Sequence, residues 1–310
     1  MFPFTKRWDP KDKHCYVSGG STGLGLALSV LLVKAGAHVS IVARNQEKLD
    51  EAIKRLESLR VHEGQIIKSY SFSLSSGDES TRALDAACAL HGGKSPDALF
   101  LCAGASRPRF IVDSTEQDML QGMVEGYWVQ AWSAIAAVKR MAHEGAKGKI
   151  VLVGSTLSYM AFVGYGSYTP AKHALRGFSD TLRNECLLYG IDVHFYAPNT
   201  MHTAGYEVEQ QTKPWITNKI EEGDSPTTSE KAAASLLKGV QKGQAHIAGD
   251  LITHLFRAST RGAAPYNNPL VDGILGFIAW IGVPIWRRSA DSAVRAHRTQ
   301  HAEYLRQMNS

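Results

Sequence analysis

Three side chains near the middle of the chain have the types and spacing needed to move a proton. Tyr168 and Lys172 lie four apart in the run YTPAK, so on a helix they share one face. An ammonium beside a phenol favours the phenolate, drawing a group that ordinarily titrates near pH ~10 toward working pH. A tyrosine tuned in this way can give a proton to a developing alkoxide and recover it later. Ser155 closes the apolar run GKIVLVGS, which reads as a strand, and its hydroxyl can hydrogen-bond the same oxygen. A Tyr-x-x-x-Lys pair alone occurs often by chance and is usually an exposed helix face. The serine upstream and a glycine loop near the N-terminus make coincidence a poor explanation.

That loop is Ser18-Gly19-Gly20-Ser21-Thr22-Gly23-Leu24-Gly25, between a short apolar run and an amphipathic one. A tight strand-to-helix turn needs glycine, and a missing Cβ lets a pyrophosphate approach the helix N-terminus. Gly19, Ser21, Thr22, Gly23, Leu24 and Gly25 are therefore candidate cofactor contacts; a turn serving only packing is the alternative. A dinucleotide fold usually holds the ribose 2′-hydroxyl with an acidic residue about 20 positions on. Here that place reads Ala43-Arg44-Asn45, with Lys48 one turn later. A carboxylate would repel a 2′-phosphate, whereas Arg44 can pair with one through its planar fork; a solvated turn arginine is the alternative. The expected cofactor is NADPH rather than NADH.

Elements that can position these groups are legible from His14 onward. HCYVSG, residues 37–43, 65–74, 97–104, 148–155 and 191–198 read as strands, each bounded by Gly, Asp, Ser or Pro. Helical stretches are expected at 24–35, 46–59, 79–90, 116–143 and 168–189. Strands alternating with helices of crossover length mean an α/β fold: a Rossmann-type, doubly wound parallel sheet with helices on both faces. Residues 14–250 form the expected nucleotide-binding domain, after an N-terminal extension over 1–13 and before a C-terminal helical extension over 251–310. Within the domain, 200–226 is polar and broken by Gly205, Pro214, Gly223 and Pro226. Such an insertion at the carboxyl end of a parallel sheet reads as a substrate loop or lid, or else as a structural cap.

Composition excludes several other classes. Of 310 residues, 44% are hydrophobic and 20% charged, and the net charge is only +5, so a folded core is expected rather than disorder. There is no dense basic block, so no nucleic-acid partner is expected. The four cysteines, Cys15, Cys88, Cys102 and Cys186, form no CxxC pair, which argues against disulfides and structural zinc. His297 and His301 are four apart without the intervening Glu of a zincin helix, so no metal is expected. The opening MFPFTKRWDPKDK has no apolar run of signal-peptide length.

These motifs together resemble the short-chain dehydrogenase/reductase family, over roughly residues 14–200. The resemblance implies that Tyr168 is the acid/base, that Lys172 lowers its pKa and holds the nicotinamide ribose, and that Ser155 orients the substrate. LCAG (101–104) is similar to the family's Asn-Asn-Ala-Gly turn, and Ala103 and Gly104 would admit adenosine past the fourth strand. A narrower resemblance lies in VARNQEKL (42–49), LCAGAS (101–106) and APNTMHTAGYEVEQQTKP (197–214). These resemble the 3-ketodihydrosphingosine reductases of the family, with Pro198, Thr200, Thr203, Gly205, Tyr206, Glu207, Lys213 and Pro214 fitting their pattern. The resemblance implies reduction of 3-ketodihydrosphingosine with NADPH at the cytosolic face of the endoplasmic reticulum, and adds Pro198 and Thr200 to the cofactor contacts. Two departures stand out. Gly126 occupies the place of a family asparagine thought to hold a water linking the lysine to solvent, and Ser73 that of an acidic residue contacting adenine.

A last feature bears on lipid. Residues 270–286, LVDGILGFIAWIGVPIW, are the most apolar stretch, and Arg287 and Arg288 follow. From Gly273 the uncharged run is short of the ~20 residues that span a bilayer, so an interfacial position is expected, with Trp280 and Trp286 at headgroup level. A core or subunit-contact helix is the alternative, and a homo-oligomer is possible by family analogy. Competing functions are a steroid or retinoid reductase and a catalytically quiet NADP-binding sensor or scaffold.

Overall fold

Strand and helix alternate as the hydrophobic pattern requires: β1 (His14–Ser18), α1 (Gly23–Lys34), β2 (His38–Ala43), α2 (Gln46–Glu57), β3 (Ile67–Ser71), α3 (Gly77–Ala89), β4 (Ala98–Leu101), α4 (Glu116–Met123), α5 (Val129–Glu144), β5 (Lys149–Val153), α6 (Tyr168–Cys186) and β6 (Asp192–Ala197). After β6 come β7 (Met201–His202), α7 (Ala204–Gln210), α8 (Trp215–Glu221), β8 (Thr227–Thr228), α9 (Ser229–Gln241), β9 (His246–Ala248), α10 (Leu251–Ser259), α11 (Pro269–Ala296) and α12 (Arg298–Met308). The computed structural model describes residues 7–223 and 226–308. Residues 1–6 of the expected N-terminal extension, 224–225 of the expected loop and 309–310 of the C-terminal extension lie outside the described residues.

The main sheet is parallel, in the order β3-β2-β1-β4-β5-β6-β9. Helices cover both faces, so β1 and β4 are buried at every position and need no polar side. Successive side chains enter opposite cores, as strand periodicity demands. Leu99 and Leu101 pack with Ala134, Leu152, Leu175 and Phe195 on one face. Ala98 and Phe100 pack with Leu28, Leu32, Val151 and Leu236 on the other. The order reverses between β1 and β4, where carboxyl-end loops diverge and leave a crevice.

Three features differ from the sequence expectation. A seventh strand, β9, pairs with the outer edge of β6; three residues are too few to produce a periodic signal. The single helix expected over 116–143 is interrupted by a π-helical turn, Val124–Trp128, between α4 and α5. Gly126 lies in that turn against α6, where an added Cβ would meet the Ala171 Cβ at 2.6 Å. The apolar stretch 270–286 belongs to the 28-residue helix α11, which is long and apolar enough to cross a membrane by length and composition. The uncharged run alone underestimated the element, because Asn268 caps it upstream and Arg287–Ala296 continue it as an amphipathic tail.

Candidate active site

Ser155 sits where β5 enters a single 3-10 turn, Thr156–Ser158. Its backbone N–H donates to Ser158 Oγ at 3.1 Å, and its own Oγ accepts from Leu157 N at 3.2 Å, fixing the side chain at the sheet's carboxyl edge. Tyr168 opens α6 and shares a hydrogen bond with Ser155. Lys172, one turn on, is buried, with Nζ 5.4 Å from the Tyr168 ring centroid and donating to the Val153 carbonyl at 3.1 Å. The three residues therefore meet at one point.

Their electrostatics invert one expectation. Burial, seconded by the Glu209 charge, pushes the Tyr168 phenol above its ordinary range, and the Ser155 hydrogen bond only partly opposes this. Burial also lowers Lys172 to about 7, offset slightly by Cys102. The spacing predicts a lysine that draws the tyrosine toward phenolate; the desolvated site holds the phenol protonated instead. A protonated phenol is the form that can give a proton to a ketone oxygen.

The glycine loop has the close backbone packing that a dinucleotide's pyrophosphate requires. Gly19 has φ +67°, and a Cβ there would lie 2.8 Å from Ala103 N. A Cβ on Gly25 would lie 2.3 Å from Gly19 O, so the turn closes only without side chains. Ser18 Oγ accepts from Ala103 N at 3.3 Å, tying the loop to the turn after β4. The Thr22 side chain caps no N–H of α1, so the first-turn donors at Gly23 and Leu24 make no bond to it. Gly104 comes close to Lys172: an added Cβ would be 3.7 Å from Nζ and 3.0 Å from the Glu125 carbonyl.

The remaining expected contacts follow the carboxyl ends of β2 and β6. Arg44 and Lys48 are exposed after β2; Ser71 Oγ donates to the Arg44 carbonyl at 3.1 Å, and the Lys48 N–H caps onto Asn45 Oδ1 at 2.8 Å. Ser73 hydrogen-bonds Glu79 and lies 2.9 Å from Ser75 Oγ. Pro198 offers its carbonyl to Thr156 N at 3.0 Å, and Thr200 receives the Thr227 N–H at 2.9 Å, so the stretch after β6 is pinned to both β5 and β8. His297 and His301 pack around Phe110, and His297 also stacks on Trp215. Among the described residues, no cluster of three His, Cys, Asp or Glu could hold a metal ion.

Sequence reasoning missed a polar layer beside Tyr168. The Tyr165 ring centroid is 6.1 Å from that of Tyr168, and its hydroxyl lies 2.7 Å from carboxylate oxygens of both Glu209 and Glu221. Lys213, whose side chain is wholly buried, pairs with Glu209 at 2.9 Å and Glu221 at 2.8 Å. The i,i+4 spacing of Glu209 and Lys213 could have flagged half of this layer; Tyr165 comes from a distant segment, and Glu221, eight residues past Lys213, lies at the end of the next helix, outside any helical spacing with it. Across the crevice, the buried Glu125 pairs with Arg107 at 3.2 Å beside a small recess that reaches Tyr168.

The model of the short chain dehydrogenase family matches residues 13–214. A 3-ketodihydrosphingosine reductase of Cryptococcus neoformans var. neoformans serotype D (strain B-3501A) is 46% identical over 301 residues, covering 97% of this chain and 90% of its own. A PIGF/3-ketodihydrosphingosine reductase fusion protein of Schizosaccharomyces pombe is 35% identical over 91% of this chain, which spans 56% of that longer protein. Among solved structures, the apo form of LigD from Sphingobium sp. strain SYK-6 superposes with a TM-score of 0.67 at 22% identity, covering 83% of this chain and all of that one. That likeness concerns the fold.

Proposed function

The chain belongs to the short-chain dehydrogenase family, and we propose that it reduces the 3-keto group of 3-ketodihydrosphingosine to the alcohol, dihydrosphingosine, with NADPH. The observation carrying this reading is the meeting of Ser155, Tyr168 and Lys172 beside a glycine cradle, in a chain 46% identical to a reductase of that name. When bound, the reduced nicotinamide supplies the hydride. Ser155 orients the ketone oxygen, and the protonated Tyr168 donates its proton to that oxygen as charge develops on it. Lys172 would hold the nicotinamide ribose when the cofactor is bound. Arg44 and Lys48 face solvent where a 2′-phosphate would lie, and no carboxylate occupies that place, which supports NADPH over NADH.

The same reading places the protein at the cytosolic face of the endoplasmic reticulum membrane. Leu270, Ile274, Phe277, Trp280 and Ile285 on α11 are all more than half exposed, and Arg287 and Arg288 follow them. Such a face suits a lipid surface from which a long-chain base would be drawn. The decisive experiment follows NADPH oxidation with 3-ketodihydrosphingosine beside a steroid ketone. Turnover of the sphingoid ketone with NADPH preferred over NADH is expected; preference for the steroid overturns the assignment.

A further inference from the structure

We propose that Gln130 is a positioning residue of the active site, its carboxamide locking the Val153 peptide that receives Lys172 to the cofactor turn at Ala103. The ladder between β4 and β5 ends at the pair Leu101 and Leu152. Beyond it the chain leaves β5 at Cys102, so the next peptide edge of β5 has no strand beside it. Gln130 fills that gap as a surrogate peptide. Its Oε1 accepts from Val153 N at 2.8 Å, and its Nε2 donates to the carbonyls of Val153 at 2.9 Å and Ala103 at 3.0 Å. Both amide protons are thus spent, and the side chain is almost completely buried.

The Val153 carbonyl is also the acceptor for Lys172 Nζ, so Gln130 and Lys172 share its two lone pairs. A Cβ added at Gly104, which follows the anchored Ala103, would meet Lys172 Nζ at 3.7 Å and Gln130 Nε2 at 3.9 Å, so both side chains border the space beside that turn. One amide therefore sets the separation between the lysine and the backbone that the cofactor must pass. The location of this amide follows from the π-helical turn. At Gly126 a side chain would strike Ala171, the residue before Lys172, so α6 packs against bare backbone there. One helical turn on, the chain faces the sheet edge again, and a long amide reaches the gap. A glutamine inside the apolar run VQAWSAIAA is explained by this task, since a buried amide is costly unless every group is paired.

The inference rests on Lys172 acting in catalysis and not on which ketone is reduced. Gln130→Met keeps the bulk but makes none of the three bonds; Gln130→Glu keeps the shape but adds a charge. The titratable groups facing Lys172 are Cys102 after β4 and Tyr168 on its own helix. The measurements are kcat per folded enzyme from pH 5.5 to 9.5, NADPH affinity by fluorescence, and thermal unfolding, each also in a Lys172→Met background. Gln130→Met should lower kcat roughly ten- to a hundredfold, and Gln130→Glu should move the limb of the profile belonging to Lys172 upward. In the Lys172→Met background Gln130→Met should cost little further activity, because the two act as one unit. An unchanged profile in Gln130→Glu, or the same fold-loss with and without Lys172, overturns the proposal and leaves Gln130 a core residue. Should Gln130→Met fail to fold, the Glu variant alone decides.

Discussion

The two sides of the catalytic point are held together by different physics. On the cofactor side, backbone meets backbone: Gly19 lies against Ala103, Gly25 against Gly19, and Ser18 receives the Ala103 N–H. The ion pair of Lys13 with Asp97 in that half is solvent-exposed, where such pairs contribute little. On the substrate side, the layer over Tyr168 is held by the buried Lys213 between the partly buried Glu209 and Glu221, and α10 is joined to α11 by the buried pair Arg257 and Asp272. Close backbone approach tolerates no added Cβ, whereas a charge network tolerates no lost partner. The first arrangement fixes a site for one shape. The second can be rewritten by side-chain substitution without disturbing the sheet.

Tyr168→Phe is the sharpest probe of that division, because the residue sits on the boundary. It removes the transferable proton and leaves the glycine cradle untouched. Turnover should fall by at least the ~10²–10⁴ associated with general acid catalysis, with NADPH affinity, read by fluorescence titration, nearly unchanged. Ordinary turnover in this variant would remove the acid assignment.

Lys213→Met tests the other side. It leaves Glu209 and Glu221 facing one another across the Tyr165 hydroxyl with no cation between them. Breaking a buried pair costs about 3–5 kcal/mol, and the low end is expected because both carboxylates keep some exposure. Proteolysis should open residues 204–221 first, and Glu209→Gln in the same chain should recover part of the loss. A matching collapse of NADPH affinity would mean that the two sides are one structural unit.

The same division decides what could be read from sequence. Gly19, Gly25 and the alternating apolar strands announce themselves because their constraints are local, set by φ or by period 2. Tyr168 and Lys172 announce their shared face, but not the sign of the tyrosine's shift, which desolvation by the folded surroundings decides. Tyr165, Glu221 and Gln130 carry no local signal: each matters through a partner 20 or more residues away. β9 was too short, and the π-helical turn followed from an approach of α6 that only the tertiary structure contains.

Arg44→Ala addresses specificity on the cofactor side. The guanidinium is exposed, so its removal should leave the fold intact and weaken NADPH far more than NADH. A charge-assisted bond contributes roughly 1.5–3 kcal/mol, or about ten- to more than a hundredfold in affinity. Equal loss for both cofactors would reduce Arg44 to a support of the turn before α2.

The smallest effect is expected on the outer surface of the substrate side. Deleting 270–286 would remove Asp272 from the buried Arg257, and Trp286 from its contact with Phe256, so a deletion confounds binding with folding. Phe277 and Trp280 avoid this, being 64% and 72% exposed and stacked on each other. Burying apolar area in the lipid interface contributes about 25 cal/mol per Å², so if only the ring edges, roughly 40–55 Å² in all, enter the interface, Phe277→Ser with Trp280→Ser should weaken liposome binding about five- to tenfold. Thermal stability should hardly change, and a short soluble keto-amine should still be reduced, because Ser155, Tyr168 and Lys172 are untouched. Long-chain substrate presented in liposomes should be reduced more slowly in proportion to the lost binding. If liposome binding persists while the variant changes its oligomeric state, α11 is a subunit contact, and the apolar face serves packing rather than lipid.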